Sequence, residues 1–491
     1  MNLLFLLRRG LIFLVTLRCL ATAVAAPGEA PPVHTVVLPL VAASPAVLLV
    51  ANEVELRAAI YEANVAFQLP RIELTADIPL TAPLSPFENV ANGAIVMDGN
   101  GHTLDGRGHG PILSVGPGTT VIVDELMLTG GRAGCGGAIF SAGHLTLRDS
   151  YLNFNVADGG GGICAISSGV PASLTLERTT VAGNVAELGG GIFIDAPGPG
   201  DCSATSMSVV IHDSLIEQNR AERSGGGIFA HAGDCERVSL DLVDSSLLSN
   251  GAVGGSGGAV YAATREGFVF TTLRRSTVAF NSAARAGGLY NEGSTGSCWY
   301  CGGLAELRLI NSTLSSNVGD DNGGAIFNVD AEPAMLGRRP QDPPPIGAAR
   351  VTLWYTTVTN NRAAQGSGIW NAGELNLNTS IIAANAAAGG DCRVVGQNWS
   401  HGYNLDSDDS CGLDQPTDLP NSAAGLLPLA LNAPGRTMTH ALGPASAARD
   451  RIPAGSLGCN PAANDSDQRG IPRPQPAGGL CDMGAYEFQE P

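Results

Sequence analysis

The chain is predicted to be all-β, a solenoid of stacked coils, on three observations. Between Leu145 and Asn385 one pattern recurs eight times: apolar residues at positions 0 and 2, Ser or Thr at 5, apolar at 7 and Asn at 10. The copies start at Leu145, Leu174, Val209, Leu240, Thr271, Leu307, Val351 and Leu375, at intervals of 24 to 44 residues, so the unit is rigid inside and loose outside. A second motif, two small residues before an apolar one, follows each of seven copies 8 to 10 residues after the Asn, ending at Ile163, Ile192, Ile228, Val260, Leu289, Ile326 and Ile369; an earlier instance ends at Ile139. Apolar segments of three to five residues with period-two alternation, punctuated by Gly and Asn, read as strand, corner, strand without helix. Identical offsets in every unit fit a parallel β-helix, in which each strand pairs with its equivalent one coil away at roughly 4.8 Å.

The elements follow in order. Residues 1–25 carry Arg8 and Arg9, the apolar run Leu11 to Leu17 and Ala23-Val24-Ala25, the layout of a secretory signal peptide. Its removal takes three of the 27 Arg+Lys and none of the 45 acids, which moves the net charge from −18 to −21 and excludes nucleic acid and anionic membrane as partners. Residues 26–93 hold an N-terminal segment in which Val54, Leu56, Ala59, Ile60, Ala63 and Phe67 have helical spacing; a helix over 53–66 is expected to cap the first coil. Residues 94–390 are the repeats, and 391–491 a separate C-terminal module.

Asn155, Asn184, Asn219, Asn250, Asn281, Asn317, Asn361 and Asn385, at position 10, are expected to stack as an amide ladder at one bend. Asn432 lies outside it and serves as a silent reference. The glycines are expected at a second bend, with positive φ or in close approach to a neighbouring coil. The chain has no Lys, which excludes P-loop and Schiff-base chemistry.

Ten cysteines follow the signal segment, and neighbours in sequence suggest Cys135 with Cys164, Cys202 with Cys235, Cys298 with Cys301, Cys392 with Cys411 and Cys459 with Cys481. A redox or zinc role for Cys298-Trp299-Tyr300-Cys301 is the sharper alternative, but no second C-x-x-C accompanies it.

Glu55-Leu56-Arg57-Ala58-Ala59-Ile60, with Ala63-Asn64, resembles the C-S-L-R-E-A-I segment that opens a family of secreted bacterial β-helix proteins, although Val54 stands for its Cys and Ala58 for its Glu. Asp467-Gln468-Arg469-Gly470, Pro472-Arg473-Pro474 and Cys481-Asp482-Met483-Gly484-Ala485-Tyr486-Glu487 are similar to the terminal module of "choice-of-anchor Q" proteins, and the repeats to those of polymorphic outer-membrane proteins. The resemblance covers most of the chain after residue 25. It implies a single-stranded right-handed parallel β-helix of roughly nine or more coils, exported and often fixed to the cell envelope; it says little about activity.

Function is sought at two places. From the Gly-motif residue to the next repeat start the gaps are 6, 11, 17, 12, 11, 18, 25 and 6 residues, so insertions gather at one edge. The two longest, 291–306 and 328–350, belong to consecutive coils and should bring Trp299, Tyr300, Arg338 and Arg339 to one rim, able to stack on a sugar and pair with a carboxylate. Position 4 makes a second candidate, a column of Asp149, Arg178, Asp213, Asp244, Arg275, Asn311, Tyr355 and Thr379, with His212 beside Asp213. Asp213 and Asp244 about 5 Å apart would hold Ca²⁺ or divide acid and base roles, with Arg178 and Arg275 flanking them. Asp406, Asp408 and Asp409 read as a solvated acidic turn. The leading expectation is a non-enzymatic surface or secreted protein, with no cofactor, that binds extracellular polysaccharide or another surface protein. The alternative is a Ca²⁺-assisted, pectate-lyase-like lyase or a glycoside hydrolase.

Overall fold

The computed structural model describes residues 46–491 except 91–92, 168, 199–205, 234, 295–302, 332–348, 387, 457, 461–464 and 490–491. Every regular coil passes through four strands, which stack into four parallel sheets: sheet A with 13 strands, sheet B with 12, sheet C with seven and sheet D with ten. One coil runs through His144–Arg148 in A, Tyr151–Asn153 in B, Val156–Gly159 in C and Ile163–Ile166 in D, then returns to A. The inward residues at positions 0, 2 and 7, such as Leu174, Leu176 and Val181, are fully buried and run together as one core along the axis. The result is a parallel β-helix.

Each corner has its own device. From A to B, position 4 lies in the left-handed region, with φ of 48° at Asp149 and Arg178 and 50° at Asp213 and Asp244. The next residue is the repeat's Ser or Thr, whose side-chain oxygen accepts the backbone N–H one coil back, as Ser276 does from Ser245 at 3.2 Å and Ser312 from Ser276 at 3.2 Å. From B to C, the amide of each ladder Asn donates to the Oδ1 of the next, and that Oδ1 also accepts the backbone N–H: Asn250 Nδ2 to Asn281 Oδ1 is 3.0 Å and Asn250 N to the same atom 2.8 Å. All eight predicted residues take part, and the series ends on Asp391, whose Oδ1 accepts from Asn385 Nδ2 at 2.8 Å. From C to D, both expectations for the glycines hold at successive positions. Gly189 has φ of 62°. A Cβ on Gly190 would lie 2.5 Å from Gly226 O.

Helix α1, Glu53–Val65, is capped by Asn52 and buries Leu56, Ala59, Ile60 and Ala63 in the same core as Val50 and Ile72, so it closes the first coil. Val54 and Phe67, which the spacing assigns to that face, point out, 78% and 79% exposed. Stacking also extends beyond residues 94–390: Val47–Val50 already pairs with Arg71–Leu74, and Gln397–Ser400 and Leu405–Asp406 continue sheets A and B. These end coils close their corners with other residues. Asn404, for instance, accepts from Ser380 N where the repeats place Ser or Thr, so a strict pattern does not reveal them.

Three predicted disulfides are present, Cys135–Cys164, Cys392–Cys411 and Cys459–Cys481, with Cα separations of 5.5, 4.8 and 5.8 Å. The first joins adjacent coils. Cys202, Cys298 and Cys301 lie outside the described residues, as does the signal segment. No helix among the described residues is long and apolar enough to cross a membrane.

After Asp406 the chain turns back along the outside of sheet B. An antiparallel hairpin, Leu426–Ala430 with Thr439–Leu442, and an antiparallel strand pair, Ile452–Pro453 with Leu480–Cys481, belong to the C-terminal module. Outward sheet-B residues beneath it are small and hydroxylated, and the module bonds to them: Thr277 Oγ1 to Met438 O at 2.6 Å, Thr313 Oγ1 to Gln468 Oε1 at 2.6 Å, Ala485 N to Thr357 Oγ1 at 3.0 Å.

Candidate functional site

The position-4 column sits on the left-handed corners between sheets A and B; Asp149 to Asn311 line one outer ridge, while Tyr355 and Thr379 are buried. The guanidinium of Arg178 holds Asp149 through two contacts of 2.7 Å, and Arg275 holds Asp244 in the same way. Asp213 is taken by Arg436, which arrives from the C-terminal hairpin. His212 Nε2 lies 3.8 Å from Asp244. Asp213 and Asp244 therefore occupy neighbouring corners but do not face each other as a free pair; each has a guanidinium partner of its own. The expectation of a carboxylate pair open to Ca²⁺ or to acid–base work does not match this geometry. Corners in the left-handed region cost energy for most side chains, and bidentate Arg–Asp contacts tie consecutive corners together. Arg178 beside it holds Asp149 below the usual carboxylate range.

A second carboxylate group is at the end of the solenoid. Asp391, Asp406 and Asp408 each bring one oxygen within 4.8 Å of the others. Of the acidic turn that the sequence reads as solvated, Asp408 and Asp409 are exposed, while Asp406 is buried together with Asp391. Their oxygens are occupied by N–H and O–H donors: Asp391 Oδ2 accepts from Ser407 N at 3.0 Å, Asp406 Oδ2 from Cys411 N at 2.7 Å, and Asp408 Oδ2 from Asp391 N at 2.9 Å. Burial pushes the Asp406 carboxyl up. The cluster anchors the turn that carries Cys411.

The edge between sheets D and A is built differently. Strands Leu289–Ser294 and Ile326–Ala331 run three residues farther than a short sheet-D strand such as Ile139–Ser141, and remain paired to their ends, Gly293 with Asp330 and Ser294 with Ala331. The two longest insertions thus leave the solenoid from paired strands, as their consecutive positions predict. The first closes on itself where Gly303 N donates to Ser294 O at 2.8 Å; the second closes where Ala349 N donates to Asp330 Oδ1 at 2.6 Å.

Under these roots lies a second amide ladder that the sequence reading misses. Asn291 Nδ2 donates to Asn328 Oδ1 at 2.8 Å, and Asn328 Nδ2 to Asn371 Oδ1 at 2.7 Å. The same amides reach carbonyls on the returning strands, Asn291 to Ala305 O at 3.1 Å and Asn371 to Gln397 O at 2.9 Å. All three are buried. A signal was present: each follows the Gly-motif residue as apolar, aromatic, Asn, in Leu289-Tyr290-Asn291, Ile326-Phe327-Asn328 and Ile369-Trp370-Asn371.

The aromatic partners form a stack of their own on the outer face of sheet D. Phe193, Phe229, Tyr261, Tyr290, Phe327 and Trp370 follow one another with centroids 4.3 to 5.2 Å apart and rings within 11° of parallel. Stacking uses up the ring faces, so this column stiffens the face beside the insertions and is not itself a platform for sugar rings. Trp299, Tyr300, Arg338 and Arg339 lie outside the described residues.

Fold and site define an elongated parallel β-helix with a decorated D–A edge and a salt-bridged A–B ridge. Comparison of this chain with family models, curated proteins and solved structures finds no match.

Proposed function

We propose that the protein is an exported, non-enzymatic β-helix that works at or outside the cell surface, in adhesion or as a scaffold, by binding polysaccharide on the rim formed by insertions 291–306 and 328–350. The observation that carries this reading is the paired, extended root of the two insertions, Ser294 opposite Ala331, with the Asn291–Asn328–Asn371 ladder fixed beneath it. Binding loops need a rigid base if they are to meet a ligand without a large ordering cost. Here two consecutive coils supply one base for both loops. Trp299 and Tyr300 provide stacking surface, Arg338 and Arg339 carboxylate partners. The ion-paired ridge favours binding over hydrolysis or elimination, because each carboxylate a catalyst would draw on has a guanidinium partner. Three disulfides, one of them between neighbouring coils, suit an oxidising compartment.

A panel of acidic and neutral polysaccharides tests the reading. The intact chain is expected to retain at least one, and the Trp299→Ala/Tyr300→Ala double variant to bind about tenfold or more weakly, since aromatic contacts are worth on the order of 1 kcal/mol each. Unsaturated or reducing ends released from an acidic polysaccharide, with or without Ca²⁺, and abolished by Asp213→Ala, would establish the enzyme instead.

A further inference from the structure

The C-terminal hairpin reaches beyond the part of sheet B that it covers. Its turn, residues 431–438, stands beside the coils of Thr180, Leu215 and Ser246 and borders an open cleft of about 530 Å³. We propose that this cleft binds a carboxylated saccharide, a run of uronate units, separately from the rim. The class is that of the proposed function, but the residues are different.

The lining has the three chemistries such a ligand needs. Leu215 and Leu248 on the sheet, with Leu431 and Met438 above, offer apolar surface to the C–H faces of a pyranose. Thr180 and Ser246 offer hydroxyls. Arg436 offers charge: its side chain is 62% exposed, and among the described residues its guanidinium has one partner, Asp213 at Nη1. Arg178, 49% exposed, spends Nε and Nη2 on Asp149 and keeps Nη1 free on the opposite wall. Both can add a ligand carboxylate without releasing the Asp they hold.

Local charge permits an anion to enter. The chain carries −18 overall, and a bare Asp213 and Asp244 would repel a uronate. Arg436 and Arg275 neutralise those two carboxylates, leaving the cleft balanced inside an acidic molecule. A peptide is the poorer fit. The sheet-B strands here, Leu215–Glu217 and Ser246–Leu248, are paired on both sides and present no free edge for an added strand.

The test uses the full chain, trigalacturonate as probe and cellotriose as its neutral counterpart, with calorimetric titration at pH 7 and low salt. Trigalacturonate is expected to bind, cellotriose at least tenfold more weakly, and Arg436→Ala and Leu431→Asp each to lose about tenfold or more for the acidic probe. Both positions are exposed, so melting temperatures should stay within error of the parent. The Trp299→Ala/Tyr300→Ala variant is expected to keep its affinity for trigalacturonate. Undiminished binding in both cleft variants, equal affinity for the two probes, or no binding by the intact chain overturns the proposal. Loss in the rim variant alone also overturns it, while leaving the rim reading in place.

Discussion

In the solenoid the buried polar groups that repeat from coil to coil are neutral: eight position-10 asparagines bond coil to coil, and a file of Ser and Thr hydroxyls does the same one corner earlier. In the C-terminal module charged pairs are buried as well, and each occurs once. Arg473 and Glu487, both fully buried, meet at 2.7 Å; Glu487 also accepts from Gln475 N and Asp482 N, and the Arg473 guanidinium lies 4.1 Å from the Tyr355 ring of the solenoid. Arg469 and Asp467 make a second buried pair at 2.7 Å. A repeated neutral rung is forgiving, because each coil depends only on its neighbours. A lone buried ion pair is not, since removing one member strands the other in a medium that solvates it poorly.

The largest expected effect follows from that contrast. Arg473→Ala leaves the Glu487 carboxylate buried without a cation, at a cost of about 3–5 kcal/mol. The damage should stay in the module: hydrogen exchange and proteolysis are expected to open residues 424–489 while the coils before residue 250 keep their protection. If solenoid and module open together, they are one cooperative unit and the comparison fails.

A rung of the ladder should matter less. Asn281 Nδ2 donates to Leu247 O, Ala279 O and Asn317 Oδ1, and its Oδ1 accepts from Asn250. Asn281→Ala is expected to cost about 1–3 kcal/mol, read as faster exchange in the two adjoining coils. Asn432, which sequence alone offers as a silent reference, is not one: its amide bonds Thr439 O at 3.0 Å and Thr439 Oγ1 at 2.9 Å and so closes the hairpin turn. Unchanged exchange around Asn250 and Asn317 in the Asn281 variant would show that the ladder is ornamental.

The same contrast explains what could be read from sequence. Period and offset reveal a solenoid because stacking makes like residues meet, so Leu145, Ser150 and Asn155 announce a strand and two corners each time they recur. The paired roots of 291–306 and 328–350 were legible for the same reason. The Asn291–Asn328–Asn371 ladder occurs in only three consecutive coils, too few to stand out from the variable edge around it. Arg436 on Asp213 and Arg473 on Glu487 were invisible. The first, at a sequence separation of 223, comes from a module folded back on the coils; the second, at 14, lies inside that module, and nothing periodic marks either.

The smallest expected effect is a titration within the seam between the two regions. His440, 2% exposed, bridges the module and the solenoid: its Nδ1 is 2.7 Å from Leu427 O and its Nε2 is 2.9 Å from Ser315 Oγ. A carbonyl can only accept, so Nδ1 carries the proton and Nε2 accepts from the Ser315 hydroxyl. Burial lowers the His440 pKa below its ordinary 6.5. The folded seam therefore binds fewer protons than the open one; its stability is complete above pH 6.5 and is lost as pH falls through 6.5 toward the folded value. The loss should be modest, because Ser315 Oγ can turn and accept from a protonated Nε2, leaving only the desolvation of the charge to oppose it. Glu487, whose carboxyl burial pushes up, works in the opposite sense and gains stability as pH falls toward 4.5. The difference between the parent chain and His440→Gln isolates the histidine: limited proteolysis of residues 424–442 is expected to accelerate from pH 7.5 to 5.5 more in the parent than in the variant. Parallel pH profiles would mean that the imidazole takes up its proton as readily in the folded seam as in the open one, and the seam between coils and module would then be insensitive to acid.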